Sequence, residues 1–116
     1  MVLKEDYNNN YSHAERLHLY IDAVLKEANV SKTNLDAIAV SKGPGSYTGL
    51  RIGVSAAKGL CFALDIPLIS ISTLESLSNQ VNITDGYIVP MLDARRLEVY
   101  SAVFDVSRAQ VRETQA

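Results

Sequence analysis

The apolar positions of the chain fall into regular patterns from about residue 12 onward. Leu17, Tyr20, Ile21, Val24, Leu25 and Ala28 follow the spacing i, i+3, i+4, i+7, i+8, i+11, one stripe of a helix from Ser12 to about Ala28. Ser12 and Glu15 read as a capping box at its start, and Asn29 as its C-cap. Ahead of it, Met1 to Asp6 reads as a short strand and Tyr7 to Tyr11 as a polar turn. Leu35 to Val40 (LDAIAV) has the length and branching of a buried strand. Gly43, Pro44 and Gly45 then break regular structure, and Ser46 or Thr48 can cap a second helix running to about Leu64. Pro67 to Ile71 is a further strand, and Ser72 with Glu75 opens a helix to about Val81. Strands alternating with helices predict right-handed crossovers and a largely parallel sheet, an α/β fold. Beyond Asn82 the pattern changes. Tyr87 to Leu92 and Leu97 to Phe104 read as a hairpin around Asp93 to Arg96, followed by a polar tail, Asp105 to Ala116, either frayed or the stump of a second lobe.

Composition narrows the function classes. With 116 residues, 47% hydrophobic and 21% charged, the chain has the make-up of a globular domain with room for one core or two incomplete halves. Thirteen acidic side chains against eleven basic ones give a net charge of -2, the wrong sign for gripping nucleic acid alone, so any role with RNA is indirect. Cys61 is the only cysteine and closes no intramolecular disulfide, as expected in a reducing compartment. No apolar run approaches the roughly 18 residues of a membrane span, and the first residues lack a signal-peptide core. The expected location is cytoplasmic, with no membrane contact.

The segment SKGPGSYTGLRIGVSAAKGL carries the chemistry of interest. Gly43, Gly45 and Ser46 lie where a turn meets a helix start, a place where backbone amides can approach an anion. Neither the Walker spacing nor G-x-G-x-x-G is satisfied, so these are weak candidates for a cofactor site. The helix itself is poor on propensity, because a glycine in a helix interior costs about 1 kcal/mol relative to alanine. Gly49, Gly53 and Ala57 recur every fourth residue as a ridge without bulk, which lets another backbone come close. That backbone is either the chain's own sheet or a helix of another subunit.

The string KGPGSYTGLRIG, followed by AAKGL, IPLISISTLESL and MLDARRLEVY, resembles the bacterial TsaB family, also called YeaZ, from about Ser12 to about Phe104. The resemblance implies the fold shared by actin, hexokinase and Hsp70-type ATPases, here a partial ribonuclease-H-like lobe over residues 1–82 and the start of a second lobe over 83–116. It implies a noncatalytic partner of the TsaD enzyme in forming threonylcarbamoyladenosine beside the anticodon of tRNA, contacting tRNA only indirectly. The ATPase TsaE is a further implied partner. No cofactor is expected on this chain itself, with ATP used in the pathway. The family pairs through its first two helices, with TsaD or as a homodimer, which places the interface on Leu17, Tyr20, Ile21, Val24, Gly49, Leu50, Arg51, Gly53, Val54 and Ala57. Arg51 is expected either to pair with an acidic group or helix end, or to be solvated. Two parts of the family pattern are missing, an opening hairpin with an Ile-Asp-Thr-like strand and most of a second lobe. The chain is therefore expected to be a fragment whose central strand, Leu35 to Val40, has an open edge.

The alternative is an independent enzyme, an actin-like nucleotide hydrolase or a glycoprotease-type metallopeptidase. His13 and His18 are five residues apart, so on a helix their imidazoles diverge by about 140 degrees and share no ion readily. By resemblance His13 matches the first position of the TsaD H-x-x-x-H motif, but Leu17 stands at the second. Asp93 suits a turn better than a metal. Arg95 and Arg96 are expected in solvent, Cys61 in an apolar environment, and Ser46 as a cap. No catalytic residue and no metal ligand is assigned.

Overall fold

The computed structural model describes Val2, Leu3 and residues 13–116. Of the first expected strand only Val2 and Leu3 are described, and neither is in a strand; the rest of it and the Ser12 half of the first capping box lie outside the described residues. The described elements are α1 (His13–Glu27), a 3-10 turn (Lys32–Asn34), β1 (Ile38–Gly43), α2 (Tyr47–Leu64), β2 (Leu68–Ser72), α3 (Thr73–Ser78), β3 (Met91–Arg95), β4 (Glu98–Phe104) and β5 (Gln110–Gln115). β1 and β2 form one two-stranded sheet, and β3-β4-β5 form a second, antiparallel one.

β1 begins three residues later than the sequence pattern predicts. Leu35 is the C-cap of the 3-10 turn, its N–H donating to the Lys32 carbonyl, and the strand runs from Ile38 through Ser41 and Lys42 instead. Ile38 N–H donates to the carbonyl of Pro67, just ahead of β2, and the hydroxyls of Ser41 and Thr73 are 2.6 Å apart at the other end. Both strands thus start at the same end and run parallel, as a helical crossover requires.

The chain falls into two compact units, one of residues up to Val40 with Arg51–Ile69, the other of Ser41–Leu50 with Ser70–Ala116. In the first, the apolar stripe of α1 is half-buried while His18 and Leu19 on its other side are exposed. Ala57 and Cys61 are its buried side chains on α2, and the Cys61 thiol donates to the Pro67 carbonyl at 3.5 Å. An ion pair, Lys32 to Asp22 at 3.0 Å, ties the 3-10 turn to α1.

The second unit holds the tightest core, Leu74, Ala102 and Phe104, with Leu92 and Tyr100 packed against it. Ser72 caps α3, its hydroxyl accepting from Glu75 N–H at 3.4 Å. The helix stops three residues short of the predicted Val81, because the side chains of Ser78 and Asn79 both donate to the Glu75 carbonyl and compete with the backbone ladder there. Gly43 is buried at φ +105, and a Cβ on it would lie 3.0 Å from Leu50 Cδ1. The positive φ strains any side chain here, and Leu50 would have to give by a few tenths of an ångström to admit one. Gly43→Ala is expected to destabilise this unit by about 1–3 kcal/mol, read as a shift in the urea midpoint.

The hairpin is displaced from its expected frame. Its two-residue turn is Arg96-Leu97, with Arg95 opposite Glu98, and Pro90, which has no N–H, interrupts the ladder between Met91 and the isolated Ile88–Phe104 bridge. Arg95, Arg96 and Leu97 all have positive φ, 67, 54 and 62 degrees, and Leu97 is wholly exposed. A leucine in this region strains the backbone and packs on nothing here. Leu97→Gly is expected to raise stability by up to about 1 kcal/mol, the relief exceeding the added freedom of the unfolded chain; a lower melting temperature would contradict this.

The polar tail is not frayed: Gln110–Gln115 pairs as β5 on β4. Asp105 organises the connection, its Oδ1 accepting from Ser107 N–H, Ser107 Oγ–H and Ala109 N–H at 2.9, 2.6 and 3.0 Å. The Ser107 hydroxyl first, then the Ala109 amide, hold this carboxyl below the usual aspartate range, outweighing a small opposing effect of burial. Because the folded state holds the proton less tightly than the unfolded one, this contribution is present above the ordinary aspartate pKa and is lost as pH falls through the lowered value. Amide protection factors in β5, taken relative to the unstructured rate at each pH, should fall below about pH 4, and Asp105→Ala should lower them at neutral pH.

Candidate functional site

Within the first unit, α1, β1 and α2 enclose an apolar cleft of about 410 Å³. Leu17, Tyr20, Ile21, Val24 and Leu25 come from α1, at the i, i+3, i+4, i+7, i+8 spacing that set the stripe. From α2 come Gly53, Ala56, Ala57 and Leu60, again one helical face; Leu35 and Ile38 to Val40 supply the rest. Among the described residues no lining residue bears a charge, and Tyr20 carries the only polar side chain. Such a wall suits apolar contact.

Six of the ten residues expected at an interface, Leu17, Tyr20, Ile21, Val24, Gly53 and Ala57, meet in this cleft. The other four do not line it. Gly49 lies in the first turn of α2, whose start is capped by the Ser46 hydroxyl accepting from Gly49 N–H at 3.4 Å. Leu50 packs over the glycine turn, against Gly43 and Gly45. Arg51 is exposed and engaged by an interaction of its own, and Val54 is half-buried. Leu25, Ala56 and Leu60 were readable as cleft residues, since Leu25 belongs to the α1 stripe and the other two lie three and seven residues beyond Gly53.

The small-residue ridge serves two ends. Ala57 is packed by the chain itself, 5% exposed, whereas a Cβ on Gly53 would meet nothing within 4 Å. Space therefore remains at Gly53.

The other candidates occupy structural places. Asp93 Oδ1 accepts from Arg95 N–H at 2.8 Å and holds the hairpin turn, while Arg95 and Arg96 are exposed. Gly43, Gly45 and Ser46 make the bend into α2, with Ser46 as its cap. His18 is exposed, the His13 side chain lies outside the described residues, and among the described residues no three His, Cys, Asp or Glu gather as a metal site. No helix is long and apolar enough to cross a membrane, among the described residues.

Comparison with known proteins places the chain. The family model described as TsaD, tRNA N6-adenosine threonylcarbamoyltransferase, matches residues 8–115. The chain belongs to the TsaD family, with the TsaB/YeaZ proteins. It is 42% identical over 93 residues to the tRNA threonylcarbamoyladenosine biosynthesis protein TsaB of Bacillus subtilis (strain 168), covering 80% of this chain and 41% of that protein. The TsaB of Haemophilus influenzae is 36% identical over 104 residues, covering 87% and 43%. The solved structure of YeaZ from Pseudomonas aeruginosa superposes with a TM-score of 0.74 at 31% identity, covering 91% of this chain and 50% of that one. The mixed α/β architecture is thus that of YeaZ, and the chain spans about half the length of the relatives it matches or less.

Proposed function

We propose that this TsaB/YeaZ chain acts as a noncatalytic subunit that docks on a TsaD-type enzyme during formation of threonylcarbamoyladenosine in tRNA, with the cleft as the docking surface. The observation that carries the reading is the cleft itself, an apolar surface with open space at Gly53, in a chain whose relatives are named for this biosynthesis. Those names concern the pathway; the surface suits a protein partner. Two close-packed helices with small residues between them would bury α1 and α2 together. On this reading the enzyme supplies the chemistry, tRNA is met through it, this chain holds no cofactor of its own, and the ATP of the pathway is handled by a TsaE-type ATPase. A homodimer through the same helices would be the competing use of the surface.

The test is reconstitution. Threonylcarbamoylation of tRNA by a TsaD-type enzyme is measured with and without this chain, beside ATP and peptide hydrolysis by the chain alone. Stimulation of the first, with neither hydrolysis above blank, is the expected result. Hydrolysis by the chain alone, with no effect on tRNA modification, would favour the independent enzyme.

A further inference from the structure

We draw no further inference here: the strongest candidate, the crevice of about 400 Å³ in the second unit where the carboxyl ends of β1 and β2 meet Tyr100 and β5, has among the described residues Lys42 as its one charged side chain and no buried unpartnered polar group in its lining, so nothing in the structure shows what would occupy it.

Discussion

Truncating Phe104 to alanine is expected to cost about 3–5 kcal/mol, the upper range for a core truncation. The ring is 2% exposed, sits with Leu74 and Ala102 at the centre of the second unit, and belongs to the strand that pairs with both β3 and β5. Its backbone also closes the Ile88 bridge in both directions, at 2.8 and 2.9 Å. Since a domain of this size is stable by only about 5–15 kcal/mol, the variant should be largely unfolded in mild urea. Phe104→Leu, which keeps most of the volume, should lose less than half as much. Equal losses for the two variants, or a loss below about 1 kcal/mol for alanine, would show that this cluster is not the core.

Gly53→Leu is expected to separate folding from docking. A side chain at Gly53 enters open space, and leucine is a better helix former than glycine by roughly 0.5–1 kcal/mol, so the chain should stay folded or gain slightly in stability. The same side chain would fill the part of the cleft that a partner backbone needs, and overpacking of about 1–3 kcal/mol corresponds to about 5- to 150-fold weaker association. Gly59→Ala is the control, because Gly59 is exposed, has nothing within 4 Å and lies outside the cleft. It should stabilise α2 by about 1 kcal/mol and leave binding unchanged. Should Gly53→Leu unfold the chain while Gly59→Ala does not, the glycine would be serving internal packing alone.

The elements that were legible in the sequence are those whose signal is local. The stripe of α1, the Ser72 cap and a cap of α2 at Ser46 or Thr48 depend on spacing and on side chains that satisfy neighbouring amides; the structure carries the first two and takes Ser46 for the third. Boundaries set by competition were not legible. The end of α3 depends on Ser78 and Asn79 both choosing the Glu75 carbonyl, and the start of β1 on where pairing with the neighbouring strand begins, at Ile38 N–H with the Pro67 carbonyl. The hairpin turn was misplaced because Arg96-Leu97 lacks the Asn or Gly that usually marks two consecutive positive φ angles. β5 was missed because its sequence, QVRETQ, is polar; its order comes from pairing with β4 and from the Asp105 turn.

For the cleft, helical periodicity found the faces of α1 and α2 but not their shared wall. That Leu35 and Ile38 to Val40 join them depends on the packing of three elements, which no local window encodes. The ridge Gly49-Gly53-Ala57 was visible as a pattern, yet its members diverge in use, Gly49 in the capped first turn, Ala57 buried by its own unit and Gly53 open.

The most direct measurement is the mass of the assembly in solution, by sedimentation of the chain mixed with a TsaD-type subunit. A heteromeric complex formed by the unaltered chain and by Gly59→Ala, and absent for folded Gly53→Leu at the same concentrations, is the result expected if the cleft is the docking surface. Sedimentation of the unaltered chain apart from the enzyme, or a complex that Gly53→Leu joins with undiminished affinity, would contradict it.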